Sequence, residues 1–132
     1  MTAVGDVIAG WSMPMVDAQR MKTMAAILRD PYPVHWDRDE MAARGFPGVI
    51  NQGPLNLSYI ANMLMAWQGP ESIRRLTVSF GRPVIDGDAV VAGGVVTAID
   101  TVGDERHATC DVWLDRDGEH VVTGTAVVAL AD

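Results

Sequence analysis

Between residues 45 and 70 the chain carries no charged side chain, and this stretch limits the possible folds more than any other. Gly53-Pro54 opens a helix there, because proline at the first helical position gives up an N–H that has no intrahelical acceptor. Leu55, Leu57, Tyr59, Ile60, Met63, Leu64, Met65 and Trp67 then cover nearly every face until Gly69-Pro70. A helix that is apolar all round is expected to be buried all round. Interrupted by Asn56, Ser58 and Asn62, it is too short and too polar to span a bilayer. Other elements must wrap it.

The second half of the chain supplies the wrapping. Leu76, Val78 and Phe80 alternate with Arg75, Thr77 and Ser79, the period of a half-buried strand. Asp86-Gly87-Asp88 makes a turn, and a second apolar strand follows over 89–99. Ala108, Cys110, Val112 and Leu114 alternate through a third. Asp117-Gly118 is a hairpin signal, and Val122, Gly124, Ala126, Val128 and Leu130 share one face of a fourth. An early strand over about 7–16 adds a fifth. In the first half, Asp17 caps a helix to about residue 29, with Met21, Met24, Ala25 and Leu28 at helical spacing. The Pro-Tyr-Pro segment stops that helix, and a short helical turn is predicted over 37–43, ended by Gly45. The pattern predicts an α+β fold, a curved antiparallel sheet of about five strands rolled around one central helix, in a single domain over 1–132. This is the hot-dog arrangement.

Composition narrows the functional classes. A net charge of −7 argues against nucleic acid, which needs clustered Lys and Arg. Arg74, Arg75 and Arg82 form a local basic patch that can meet the phosphates of an anionic small molecule or simply be a solvated strand face. The single cysteine, Cys110, excludes an internal disulfide and a cysteine-rich metal site. No His, Cys, Asp and Glu set has metal-site spacing, so no metal is expected. Reduced cysteine and the absence of a leader or membrane span make a cytoplasmic location the expectation.

One loop carries candidate chemistry. Asp30 and His35 lie five residues apart in Asp30-Pro31-Tyr32-Pro33-Val34-His35. Each proline fixes its own φ and biases the residue before it towards extended geometry, so the loop is stiff. A stiff loop can hold a carboxylate and an imidazole around one water, as general acid–base chemistry requires. The bland alternatives are a turn carboxylate and a half-buried loop histidine. His107 and His120 fall in the polar pattern of their strands and read as solvated, and Cys110 reads as core.

This segment resembles the signature of MaoC-like (R)-specific enoyl-CoA hydratases, written roughly D-x-N-P-[LIV]-H. Asp30, Pro33, Val34 and His35 match it. Val49-Ile50-Asn51-Gln52-Gly53 is similar to the apolar run before the family's central helix. Ser58 stands where the family commonly has serine, and Arg82-Pro83-Val84-Ile85-Asp86-Gly87-Asp88 is similar to a later Pro and Gly-Asp turn. The resemblance extends over about 5–130. Tyr32 replaces the usual Asn, Gln52 the usual His and Pro54 the usual Met. The chain is also similar to the small catalytic subunits of actinobacterial heteromeric MaoC-like hydratases.

The resemblance implies reversible syn hydration of a trans-2-enoyl thioester to a (R)-3-hydroxyacyl thioester. Asp30 and His35 would hold the water, and Gly53 at the helix N-terminus would donate to the thioester oxyanion. Ser58 would orient the pair or else bond back to its own helix. Tyr32 and Gln52 would shape or support the pocket. The implied substrate is an acyl-CoA or an acyl-carrier thioester, with no cofactor beyond the CoA of the substrate itself. The implied assembly is a homodimer or a heteromer with another MaoC-like subunit, which would pair exposed sheet edges. Two rivals remain open: a hot-dog thioesterase, and a structural subunit, against which the intact Asp–His pair counts.

Overall fold

The computed structural model describes all 132 residues. In chain order it runs β1 (Val7–Met13), α1 (Ala18–Leu28), a 3-10 turn (Pro33–His35), α2 (Arg38–Ala43), α3 (Gly53–Gln68), β2 (Ile73–Phe80), β3 (Val90–Val102), β4 (Glu105–Arg116) and β5 (Glu119–Ala129). The five strands form one sheet in the order β1-β3-β4-β5-β2, with every pairing antiparallel. This is the curved α+β sheet around a helix that the patterning predicts.

Local signals set the boundaries. The Asp17 carboxylate accepts from the Gln19 N–H at 2.7 Å and the Asp37 carboxylate from the Glu40 N–H at 3.1 Å, capping α1 and α2. Asp117 and Gly118 both take positive φ, 53° and 77°, in the two-residue turn between β4 and β5. That primed geometry matches the right-handed twist of the flanking strands. The early strand ends at Met13, three residues short of the predicted end, because Pro14 cannot donate to the ladder.

The core lies between α3 and the concave face of the sheet. Ala108, Cys110, Val112 and Leu114 of β4 are all buried, as are Val122, Ala126 and Val128 of β5. They meet Ile60, Met63 and Leu64 of α3, and Trp11 of β1 stacks on Tyr59 at 5.6 Å. Burial of α3 is one-sided: Asn56, Tyr59, Ile60, Met63 and Leu64 are enclosed, whereas Leu55, Leu57 and Met65 are only half-buried. The expectation of burial all round therefore fails within one chain, because a five-stranded sheet reaches one side of the helix and nothing covers the other. On α1 only Met21 is buried and Leu28 is exposed, so its apolar stripe is also incompletely covered. Phe80, expected inside, is 55% exposed at the end of edge strand β2.

Two outcomes follow from this packing. Leu64→Ala is expected to lower the unfolding free energy by about 2–5 kcal/mol in a denaturant titration, the range for truncating a fully enclosed leucine. Burial lifts the Cys110 thiol from its ordinary value to about 11, so the native thiol stays protonated through neutral pH. Its contribution to stability is present below the ordinary thiol pKa and is lost as pH rises through about 11. At pH 8 a thiol reagent should label Cys110 only as fast as the chain unfolds, and rapid labelling of the native protein would contradict the packing.

Candidate active site

The end of α1 aims Asp30, the first candidate residue. Arg29 takes the left-handed conformation (φ 52°, ψ 41°), its N–H donates to Ala26 O, and the Asp30 N–H reaches Ala25 O at 2.9 Å. This double bond closes the helix two residues before Pro31, so the left-handed cap terminates it and the proline follows, the usual order. Asp30 leaves the cap with Oδ1 accepting from the Tyr32 N–H at 3.3 Å. Pro33 begins the 3-10 turn that presents His35, and the Trp36 indole N–H ties back to Pro31 O at 2.8 Å. The prolines and this indole bond hold the loop at both ends.

His35 is oriented by the segment before α3. Its Nδ1 lies 2.7 Å from Ile50 O. A carbonyl only accepts, so Nδ1 carries the proton and the neutral ring keeps a lone pair on Nε2. Nε2 stands 3.8 Å from Asp30 Oδ2, with the His35 side chain 13% and the Asp30 side chain 45% exposed. That separation is too long for a direct hydrogen bond and suits two groups sharing one water.

Beside His35 is a pocket of about 360 Å³, lined also by Ile50, Asn51, Gly53, Asn56, Phe80 and Arg82. Donor accounting at the start of α3 singles out one N–H. Pro54 has none, and Leu55 and Asn56 N–H both donate to Gln52 O at 3.0 and 3.1 Å. Gly53, the first helical residue, has no intrahelical acceptor and faces the pocket with the positive end of the helix dipole. A Cβ at Gly53 would lie 3.1 Å from Phe80 Cζ, so glycine keeps this approach open.

The other predicted residues are placed differently. Ser58 donates to Leu55 O at 2.6 Å, within its own helical turn, so its hydroxyl is engaged away from the Asp–His pair. Gln52 is buried and donates to Met21 O at 2.7 Å, joining α3 to α1 rather than touching His35. Tyr32 is half exposed, with its ring edge-on to His35 at 6.1 Å. The three arginines are not brought together in one cavity. Arg82 lines the pocket and pairs with Glu119, whereas Arg74 lines a separate cleft and pairs with Glu105. Arg74, then His107, holds the Glu105 carboxyl at about 2. Arg75 is exposed.

Sequence reasoning missed Asn51 and Asn56. Asn51 Nδ2 donates to Asn56 Oδ1 at 2.8 Å and to the Tyr59 hydroxyl at 3.2 Å, a buried polar group beside the pocket. Two asparagines within an uncharged stretch that must be buried are the available signal, since buried amides need partners.

Comparison with known proteins agrees with this architecture. The MaoC like domain model matches residues 11–115. No curated protein matches the chain in sequence. Among solved structures, the (R)-hydratase from A. caviae involved in PHA biosynthesis is 32% identical, with a TM-score of 0.82 over 98% of this chain and 97% of that one. The ChsH1-ChsH2 complex from Mycobacterium tuberculosis is 25% identical, with a TM-score of 0.84 over 98% of this chain and 99% of that one. The MaoC-like dehydratase from Rhodospirillum rubrum is 26% identical, with a TM-score of 0.78 over 98% and 92%. With its hot-dog sheet, its Asp30–His35 loop and a family match across most of its length, the chain belongs to the MaoC-like domain family.

Proposed function

We propose that this chain is an enoyl-thioester hydratase/dehydratase, adding water reversibly and syn across a trans-2-enoyl thioester to give a (R)-3-hydroxyacyl thioester. The observation that carries the reading is the His35 ring, fixed through Nδ1 to Ile50 O with Nε2 held 3.8 Å from Asp30 Oδ2. Similarity to an (R)-hydratase at 32% identity supports it.

In this reading a water sits between Asp30 and His35. One group takes a proton as the oxygen bonds to C3. The C2–C3 π electrons shift towards the thioester carbonyl, whose oxygen becomes anionic beside the Gly53 N–H. The pair then returns a proton to C2 on the same face, and the carbonyl re-forms. The net change is one water added, with no redox step and no cofactor beyond the substrate's own thioester carrier. Positioned acid–base groups of this kind typically contribute about 10²–10⁴-fold in rate. A preorganised N–H acts in addition, because it is already aimed where charge develops.

The assembly we infer is a pair of MaoC-like chains, two copies or two different subunits. β1 and β2 are edge strands, and half of α3 is incompletely covered. Unpaired edges and a half-covered apolar helix are surfaces that a second sheet and helix would cover. The ChsH1-ChsH2 neighbour is itself a complex of two chains.

The test is hydration of a short trans-2-enoyl-CoA, followed as loss of enoyl absorbance and by chiral analysis of the product. Asp30→Asn and His35→Ala should each lower kcat by about 10²–10⁴-fold with unchanged thermal unfolding. Near wild-type rates in both variants would refute the site. Release of free thiol without 3-hydroxyacyl product would identify a thioesterase instead.

A further inference from the structure

The enclosed face of α3 contains one side-chain amide. Asn56, Tyr59, Ile60, Met63 and Leu64 form that face, and Asn56 is only 4% exposed. Packing alone would place leucine there, because asparagine is a weak helix former and a buried amide must find partners. We propose that Asn56 Nδ2 is a second hydrogen-bond donor to the thioester oxygen, acting beside the Gly53 N–H. The inference rests on the hydratase reading for its substrate and adds a residue to the site of that reading.

Three observations support it. The first is an unused donor. Asn56 Oδ1 accepts from Asn51 Nδ2 at 2.8 Å, whereas Asn56 Nδ2 bonds to nothing in the chain. The fully enclosed side-chain atoms without partners are Asn51 Oδ1 and Gln52 Oε1, so Asn56 Nδ2 keeps access to open space. Asn56 lines the His35 pocket together with Gly53, and the pocket supplies that space. The other polar side chains there are engaged: His35 Nδ1 with Ile50 O, Asn51 Nδ2 with two acceptors, and Arg82 with Glu119.

The second is a fixed orientation. Asn51 Nδ2 donates to the Tyr59 hydroxyl at 3.2 Å as well as to Asn56 Oδ1, and the Asn51 N–H reaches Val84 O at 2.7 Å. Tyr59 in turn stacks on Trp11. Turning the Asn56 amide over would set one NH2 group against another, so its oxygen stays on Asn51 and its NH2 stays free. A donor held in place before the substrate arrives needs no reorganisation when charge develops.

The third is position. Residues three apart lie on one face of a helix, with Cβ atoms about 5–6 Å apart. Each Cα–Cβ bond leans towards the helix N-terminus, so the Asn56 side chain is carried back towards Gly53. Both donors therefore serve one pocket at the positive end of one helix dipole. A carbonyl oxygen has two lone pairs, so one that becomes anionic beside Gly53 can accept from Asn56 as well.

The experiment compares Asn56→Asp and Asn56→Leu with wild type in the full chain. Aspartate has the shape of asparagine and keeps the oxygen that Asn51 bonds, but it replaces the free NH2 with an acceptor. Asn56→Asp should lower kcat and kcat/KM for but-2-enoyl-CoA alike, by about 10²–10³-fold, the loss typical of one oxyanion donor. Asn56→Leu should lower them in the same way; if it fails to fold, the isosteric Asn56→Asp still decides. The second readout is the spectrum of bound 4-(dimethylamino)cinnamoyl-CoA, whose absorbance moves to longer wavelength as its carbonyl is polarised. Wild type should produce that shift and Asn56→Asp should lose most of it. A merely structural Asn56 would be served nearly as well by aspartate, so an unchanged rate and an unchanged shift overturn the inference. A rate lost through KM alone overturns it too, as does a wild type that leaves the probe unshifted. A shift that Asn56→Asp loses, in a wild type that hydrates nothing, would reject the hydratase reading alone. Wild-type hydration with rate and shift intact in Asn56→Asp would reject this inference alone.

Discussion

Ile50 places both its backbone polar groups on the Asp30–His35 loop, and the rest of the candidate site depends on that tie. Its N–H donates to Val34 O at 2.8 Å and its carbonyl receives His35 Nδ1 at 2.7 Å. On the other side of the same short segment, the Asn51 N–H reaches Val84 O and the Asp86 N–H reaches Val49 O. Three residues thus connect the His35 loop, the start of α3 and the connection between β2 and β3. Buried peptide groups must find partners, so moving any one of these pieces leaves N–H and C=O groups unpaired. The position of the imidazole is set by backbone pairing, and the ring tautomer follows from it.

The start of α3 concentrates polar atoms whose hydrogen-bonding capacity the chain leaves unused. Asn51 Oδ1 and Gln52 Oε1 are buried without a partner, and Gly53 follows with an N–H that the helix cannot use. A buried unsatisfied group costs about 1–3 kcal/mol in a well-packed protein. The core around α3 supports this arrangement with Met63, Leu64 and Ile60, whose burial is nearly complete. Clustering of unsatisfied groups at one helix terminus is the expected signature of a surface shaped for chemistry, where stability alone would have removed them.

Local chemistry made much of the fold legible in the sequence. Asp17, Asp37 and Gly53-Pro54 mark helix starts that the structure places within a residue of expectation, and Asp117-Gly118 marks the β4–β5 turn. Alternation along β4 and β5 identifies their buried faces residue by residue. Long-range pairing was not legible. Nothing near Ile50 in sequence announces its bond to His35, and the partners of Arg74 and Arg82 lie 31 and 37 residues away. Ser58 shows the limit at one residue: its position left open a supporting hydroxyl or a helical serine bonded back to its own turn, and Leu55 O receives it. The extent of burial around α3 was also out of reach, because apolar composition states what a helix needs covered and not whether one sheet can cover it.

Charge distribution sets a constraint on the proposed reaction, in which an acidic chain meets an anionic thioester. Over distances beyond about 8 Å, physiological salt screens the net charge, so the charges nearest the substrate dominate the interaction. Near His35 the one pocket-lining cation, Arg82, is already paired with Glu119, and Asp30 adds a carboxylate. In the proposed reaction the thioester carbonyl therefore gains little from ion pairing and relies on the Gly53 N–H and the helix dipole for its developing charge.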